Sequence, residues 1–115
     1  MKYAFLIYGE ESTAPEPGST AEAAMHEGYM KFSQEVNESG AFQGGERLFP
    51  VASATTVRIR DGKTLTTDGP FAETREQLAG FYILDCKDLD QALGLAARLP
   101  GSALGSVEVR PVWEM

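Results

Sequence analysis

Apolar side chains at the start of the chain occupy both alternating sets of positions. Tyr3, Phe5 and Ile7 form one set, and Ala4, Leu6 and Tyr8 the other. A strand over residues 2–8 with no polar face is a strand buried on both sides. The stretch 80–86 repeats the pattern through Phe81, Tyr82, Ile83 and Leu84. The last predicted strand, 106–113, alternates instead. Val107, Val109 and Trp113 are read as inward and Glu108 and Arg110 as outward, and Pro111 marks a sheet edge because it cannot donate to a ladder.

Between these strands the period changes to 3.6. Met25, Tyr29, Phe32 and Val36 make one stripe on a helix that opens at Ser19 and stops near Ser39 before Gly40. Gly28 within it costs about 1 kcal/mol relative to alanine. A second helix opens at Asp88 and places Leu89, Ala92, Leu93, Ala96 and Leu99 inward, and Pro100-Gly101 ends it. Ser19 with Glu22, and Asp88 with Gln91, have the spacing of reciprocal capping boxes. Residues 42–49 read as a short strand interrupted by Gly44-Gly45. Residues 54–60 and 63–67 flank Asp61-Gly62, a strong two-residue hairpin signal. That hairpin is expected to be peripheral, apart from both the chemistry and any subunit contact.

The order β-α-β, hairpin, β-α-β predicts one α+β domain over residues 1–115. It is a ferredoxin-like split βαβ with an inserted hairpin, its antiparallel sheet carrying two helices on one face. Strands apolar on both faces belong at the centre. Two helices cover only one side, so the other needs a cover, and a second copy of the chain is the simplest one. A homodimer with sheets face to face is therefore expected.

A formal charge of −7 and 43% hydrophobic residues describe a globular chain that repels phosphate backbones and anionic lipid. Neither nucleic acid nor membrane is an expected partner. The apolar run 3–8 is too short for a signal-peptide core or a membrane span, which places the expected location in the cytoplasm. Cys86 is the sole cysteine and His26 the sole histidine. That leaves no thiolate metal cluster and no CxxC pair, and no nucleotide or phosphate-loop motif is present. No metal or cofactor is expected. Cys86 on an apolar strand reads as an inert core residue.

The stretch Thr67-Asp68-Gly69-Pro70-Phe71-Ala72-Glu73-Thr74-Arg75-Glu76-Gln77-Leu78-Ala79-Gly80-Phe81-Tyr82 resembles the signature of DGPF-motif proteins in the YCII-related group. Residues 1–9, 54–58 and 106–112 agree with it, so the likeness spans the chain. The resemblance implies a dimeric α+β barrel and a His–Asp pair in a cleft as an active site. It also implies genes placed beside extracytoplasmic-function sigma factors.

Asp68 is the leading candidate for chemistry, because Gly69-Pro70 could fix its carboxylate at a cleft. Asp is equally the residue that starts turns by accepting amide hydrogen bonds. His26 suits a general base near neutral pH, although it lies at the margin of the helix stripe. Glu46 follows two glycines that could admit a small ligand to the backbone, or it is simply an exposed edge-strand carboxylate. Arg75 could clamp an anionic ligand, and Phe71 could line its site while packing the turn onto the sheet as part of the core. Two functions stay open: a small-molecule protein with cofactor-free acid–base chemistry, and a noncatalytic regulatory or protein-interaction module. Convergence of Asp68, Glu46 and His26 on one cleft would favour the first.

Overall fold

The computed structural model describes residues 1–114. Strand β1 (Lys2–Gly9) leads through a loop to helix α1 (Thr20–Glu38) and strand β2 (Phe42–Arg47). A hairpin of β3 (Thr55–Arg60) and β4 (Lys63–Asp68) follows, then β5 (Gln77–Asp85), α2 (Leu89–Arg98), α3 (Pro100–Leu104) and β6 (Ser106–Pro111). Four strands form one antiparallel sheet in the order β2-β5-β1-β6, consistent with a ferredoxin-like split βαβ. The two strands apolar on both faces, β1 and β5, are the central pair, and proline-bearing β6 is an edge.

Alternation in β1 decides the two faces. Tyr3, Phe5 and Ile7 are buried, and with Leu84 they meet Phe32 and Val36 of α1, Ala92 and Ala96 of α2, and Leu99. The Tyr82 ring ties the layers together. It stands edge-on to Phe32 at 5.2 Å between ring centres, and its hydroxyl shares a hydrogen bond with the Ser33 hydroxyl at 2.9 Å. Cys86 is a buried free thiol, as its apolar setting requires.

Both helix caps form, each with a shift of one residue. The Glu22 amide donates to Ser19 Oγ at 3.1 Å, but the Glu22 carboxylate reaches back to the Gly18 amide rather than to that of Ser19. Gln91 likewise caps onto Asp88 at 2.9 Å and returns to the Lys87 amide. Pro100 ends α2 as expected, but it also starts α3, where a residue without an N–H is tolerated at the first turn. Gly28 has a packing reason: a Cβ there would lie 2.8 Å from Pro100 Cγ, so the α1–α3 crossing needs glycine.

Three expectations fail. Leu89 and Leu93, read as inward on α2, are exposed, and Ala92 and Ala96 alone carry the buried stripe of that helix. The last strand stops at Pro111; the Val112 amide still donates to the Lys2 carbonyl at 2.9 Å, where β1 begins, and Trp113 beyond it is 89% exposed. Phe71 is 78% exposed instead of core, since bonds from Thr56 and Arg58 hold the loop after β4 against the hairpin.

The hairpin is a separate two-stranded sheet with Asp61 and Gly62 at its tip, both in the left-handed region at φ 52° and 75°. It stands off the body. The radius of gyration is 16.0 Å, against about 13 Å for a compact domain of this length.

Candidate functional site

The face of the sheet away from the helices is open. Ala4, Leu6 and Tyr8 of β1 lie opposite Ile83, Phe81 and Leu78 of β5, and all six are half-buried. Glu46 of β2 pairs with Phe81, and Glu108 and Arg110 of β6 pair with Leu6 and Ala4. An apolar floor with carboxylates on two sides and a guanidinium ion-paired to Glu108 is thus built from four strands. Glu108 and Arg110 were read from the sequence only as an outward face. Their position on this floor depends on β6 pairing with β1.

Glycine sets the width of the β2 edge. A Cβ on Gly45 would lie 2.7 Å from the Phe81 carbonyl oxygen, and one on Gly80 would lie 2.8 Å from that of Glu46. The space left by Gly45 is therefore filled by the neighbouring strand and not by a ligand. Gly44 has open space at its Cα.

Asp68 ends β4 at the root of the hairpin, opposite Thr55, and is exposed. Its carboxylate takes no hydrogen bond among the described residues. The turn is made by its neighbour: Gly69 adopts φ 96°, and its amide donates to the Ala54 carbonyl at 2.7 Å. The Thr56 hydroxyl donates to the Gly69 carbonyl at 2.8 Å, and Arg58 donates to that of Phe71 at 3.0 Å. One backbone bond and the Thr56 and Arg58 side chains therefore hold the turn, leaving the Asp68 carboxylate unengaged.

Two glutamates of the β1–α1 loop fasten the flanks of this root. Glu11 accepts from the Val51 amide at 2.9 Å on the β2–β3 side, and Glu10 pairs with Arg75 at 2.5 Å on the β4–β5 side. Arg75 is already partnered, so clamping a ligand would require exchanging Glu10 for it. Gln77, like Glu108 and Arg110, is not signalled as a site residue by the sequence. Gln77 Oε1, at the start of β5, is shut off from solvent with no donor among the described residues. An unpaired buried acceptor costs about 1–3 kcal/mol. Nothing in the stretch Glu76-Gln77-Leu78 signals this, because it depends on the pairing of Gln77 with Gly9.

His26 is exposed on α1, in the helical layer, so the sheet stands between it and Glu46. No hydrogen bond or ion pair joins Asp68, Glu46 and His26 among the described residues. Two surface hollows lie elsewhere. One of about 320 Å³ is lined by Arg47, Leu48, Phe49 and Pro50 at the end of β2. The other, about 240 Å³, lies between α1 and α2, with Lys31, Glu35 and Arg98 on its rim. Among the described residues no three His, Cys, Asp or Glu side chains are grouped to hold a metal ion. Among the described residues no helix is long and apolar enough to cross a membrane.

Comparison with known proteins agrees with this architecture. A model of the YCII-related domain matches residues 1–115. An uncharacterized protein of Rhizobium meliloti is 39% identical over 114 residues, covering 97% of this chain and 92% of that one.

Proposed function

Since the chain belongs to the YCII-related domain family, we propose that it is a homodimeric small-molecule-binding protein. Its cleft lies at the boundary between the open sheet face and a second copy, near the Asp68 turn. The observation that carries this reading is the apolar floor of Leu6, Tyr8, Phe81 and Ile83, edged by Glu46, Glu108 and Arg110. Ligand sites combine apolar lining with a few fixed polar groups in this way. Cofactor-free acid–base chemistry would draw on Asp68 and Glu46, the carboxylates on the turn and on the floor. His26 has no part in it from within one protomer, because it lies on the far side of the sheet.

The noncatalytic module, regulatory or protein-binding, is the second reading. The placement of His26 across the sheet from Glu46 on one protomer favours it. A thermal-shift screen against carboxylate-, amine- and phenol-bearing metabolites, followed by titration of the hits, decides between the two. If the cleft binds a small molecule through its carboxylates, Asp68→Asn and Glu46→Gln each weaken binding tenfold or more, roughly 1.4 kcal/mol. Hits that bind both variants as tightly as the parent, or a screen with no hits, leave the module reading.

A further inference from the structure

We infer that the β3–β4 hairpin is an arm that clasps a second copy of this chain. The inference rests on the homodimer proposed above, but concerns which part of the chain holds it. Cross-strand pairing gives the hairpin two unlike faces. Val57 pairs with Thr66 and Ile59 with Thr64, which makes one face of β-branched side chains. Arg58 pairs with Leu65 and Arg60 with Lys63, which gathers every cation of the hairpin on the other. Within the protomer the β-branched face is uncovered, Val57 being 60% exposed and Ile59 66%; on the other face Arg58 is half-buried and bonded to the Phe71 carbonyl, while Arg60 and Lys63 are exposed. An isolated two-stranded ribbon is marginally stable in water, and this one gains nothing from the core.

Charge points to the occupant. Residues 55–68 hold three cations and two carboxylates out of ten and seventeen in the chain, so the rest carries seven cations against fifteen carboxylates. A cationic arm on an acidic body complements another such body. Nucleic acid would suit the arm alone and be repelled by everything behind it. The second copy also offers an apolar surface for Val57 and Ile59, its open sheet face being rimmed by Glu46 and Glu108. Two arms exchanged about a twofold axis would cover both copies at once. The hairpin expected to be peripheral is peripheral only to its own protomer.

Sedimentation velocity across micromolar dilution tests the arm with two double variants, Val57→Asp/Ile59→Asp and Arg60→Glu/Lys63→Glu. Both change side chains outside the core, and circular dichroism melts verify that the fold is kept. Each variant is expected to weaken the dimer roughly a hundredfold, because a twofold dimer carries each change twice. The dimer of the parent should weaken in high salt. Hairpin amides of the parent should exchange slowly when dimeric and quickly on dilution. If both variants dimerise as the parent does, the arm is refuted while the sheet-face dimer stands. A parent that is monomeric throughout overturns the arm and the dimer together. Dimer dissociation by Leu6→Asp, with both hairpin variants still dimeric, assigns the interface to the sheet face and rejects the clasp.

Discussion

The same substitution, glycine to alanine, has opposite expected effects at two positions of this fold. Gly94 lies on the exposed side of α2, and a Cβ there meets nothing within 4 Å. Gly94→Ala should therefore stabilise by the difference in helix propensity, about 1 kcal/mol. At Gly105, between α3 and β6, a Cβ would lie 2.1 Å from the Tyr8 carbonyl oxygen and 3.0 Å from Gly9 Cα. Both obstacles are backbone, so no side chain can swing aside. The entry to β6 would have to move by more than about 1 Å to reach ordinary contact. That movement strains the Tyr8–Ser106 register and the bond from the Gly105 amide to the Gly101 carbonyl. One or two weakened hydrogen bonds plus overpacking strain give a loss of about 2–4 kcal/mol. Urea unfolding at matched protein concentration measures both variants, which matters because association shifts apparent stability. Melting temperatures should rise roughly 4 °C for Gly94→Ala and fall roughly 8–16 °C for Gly105→Ala. A Gly105→Ala protein as stable as the parent, or a destabilised Gly94→Ala, would refute the packing argument.

Three further outcomes follow from particular groups. Cys86 is 2% exposed, and burial pushes its thiol pKa up. A thiol reagent should label it ~10³-fold or more slowly in the native protein than in urea. Burial also raises the Tyr29 phenol above its ordinary value of 10.0, so the native state holds that proton more tightly than the unfolded chain. Stability from this group is full below about pH 10 and is lost as pH rises through the folded pKa, a decline that Tyr29→Phe should abolish in alkaline melts. Gly69→Ala forces a side chain into φ 96° at the root of the hairpin, a strain of roughly 1–2 kcal/mol. Hairpin amides should then exchange about tenfold faster, while the melt of the body moves by less than about 0.5 kcal/mol.

Much of this fold is legible in the sequence, because it rests on signals that are local in the chain. Doubly apolar β1 and β5 had to be central whatever surrounded them, and they are neighbours in the sheet. Ser19 and Asp88 cap their helices because a cap needs only a side-chain oxygen and an amide three residues on. Asp61-Gly62 turns the hairpin because both residues tolerate positive φ. The candidate site was less legible, since its geometry is made by residues distant in sequence. Phe71 carries every local mark of a core residue, yet whether it is buried depends on where the β4–β5 loop lands, and that is beside the hairpin. Asp68 was readable as a turn residue, but only the Gly69–Ala54 bond and those from Thr56 and Arg58 show that other groups hold the turn and leave the carboxylate free. Gln77, Glu108 and Arg110 acquired their settings from the pairing of β5 and β6 with β1. His26 and Glu46 fell on opposite sides of the sheet for a related reason: α1 covers one face, and the register of β2 with β5 puts Glu46 on the other. Periodicity records which side chains seek burial. Which surface meets which is settled when strands pair across dozens of residues.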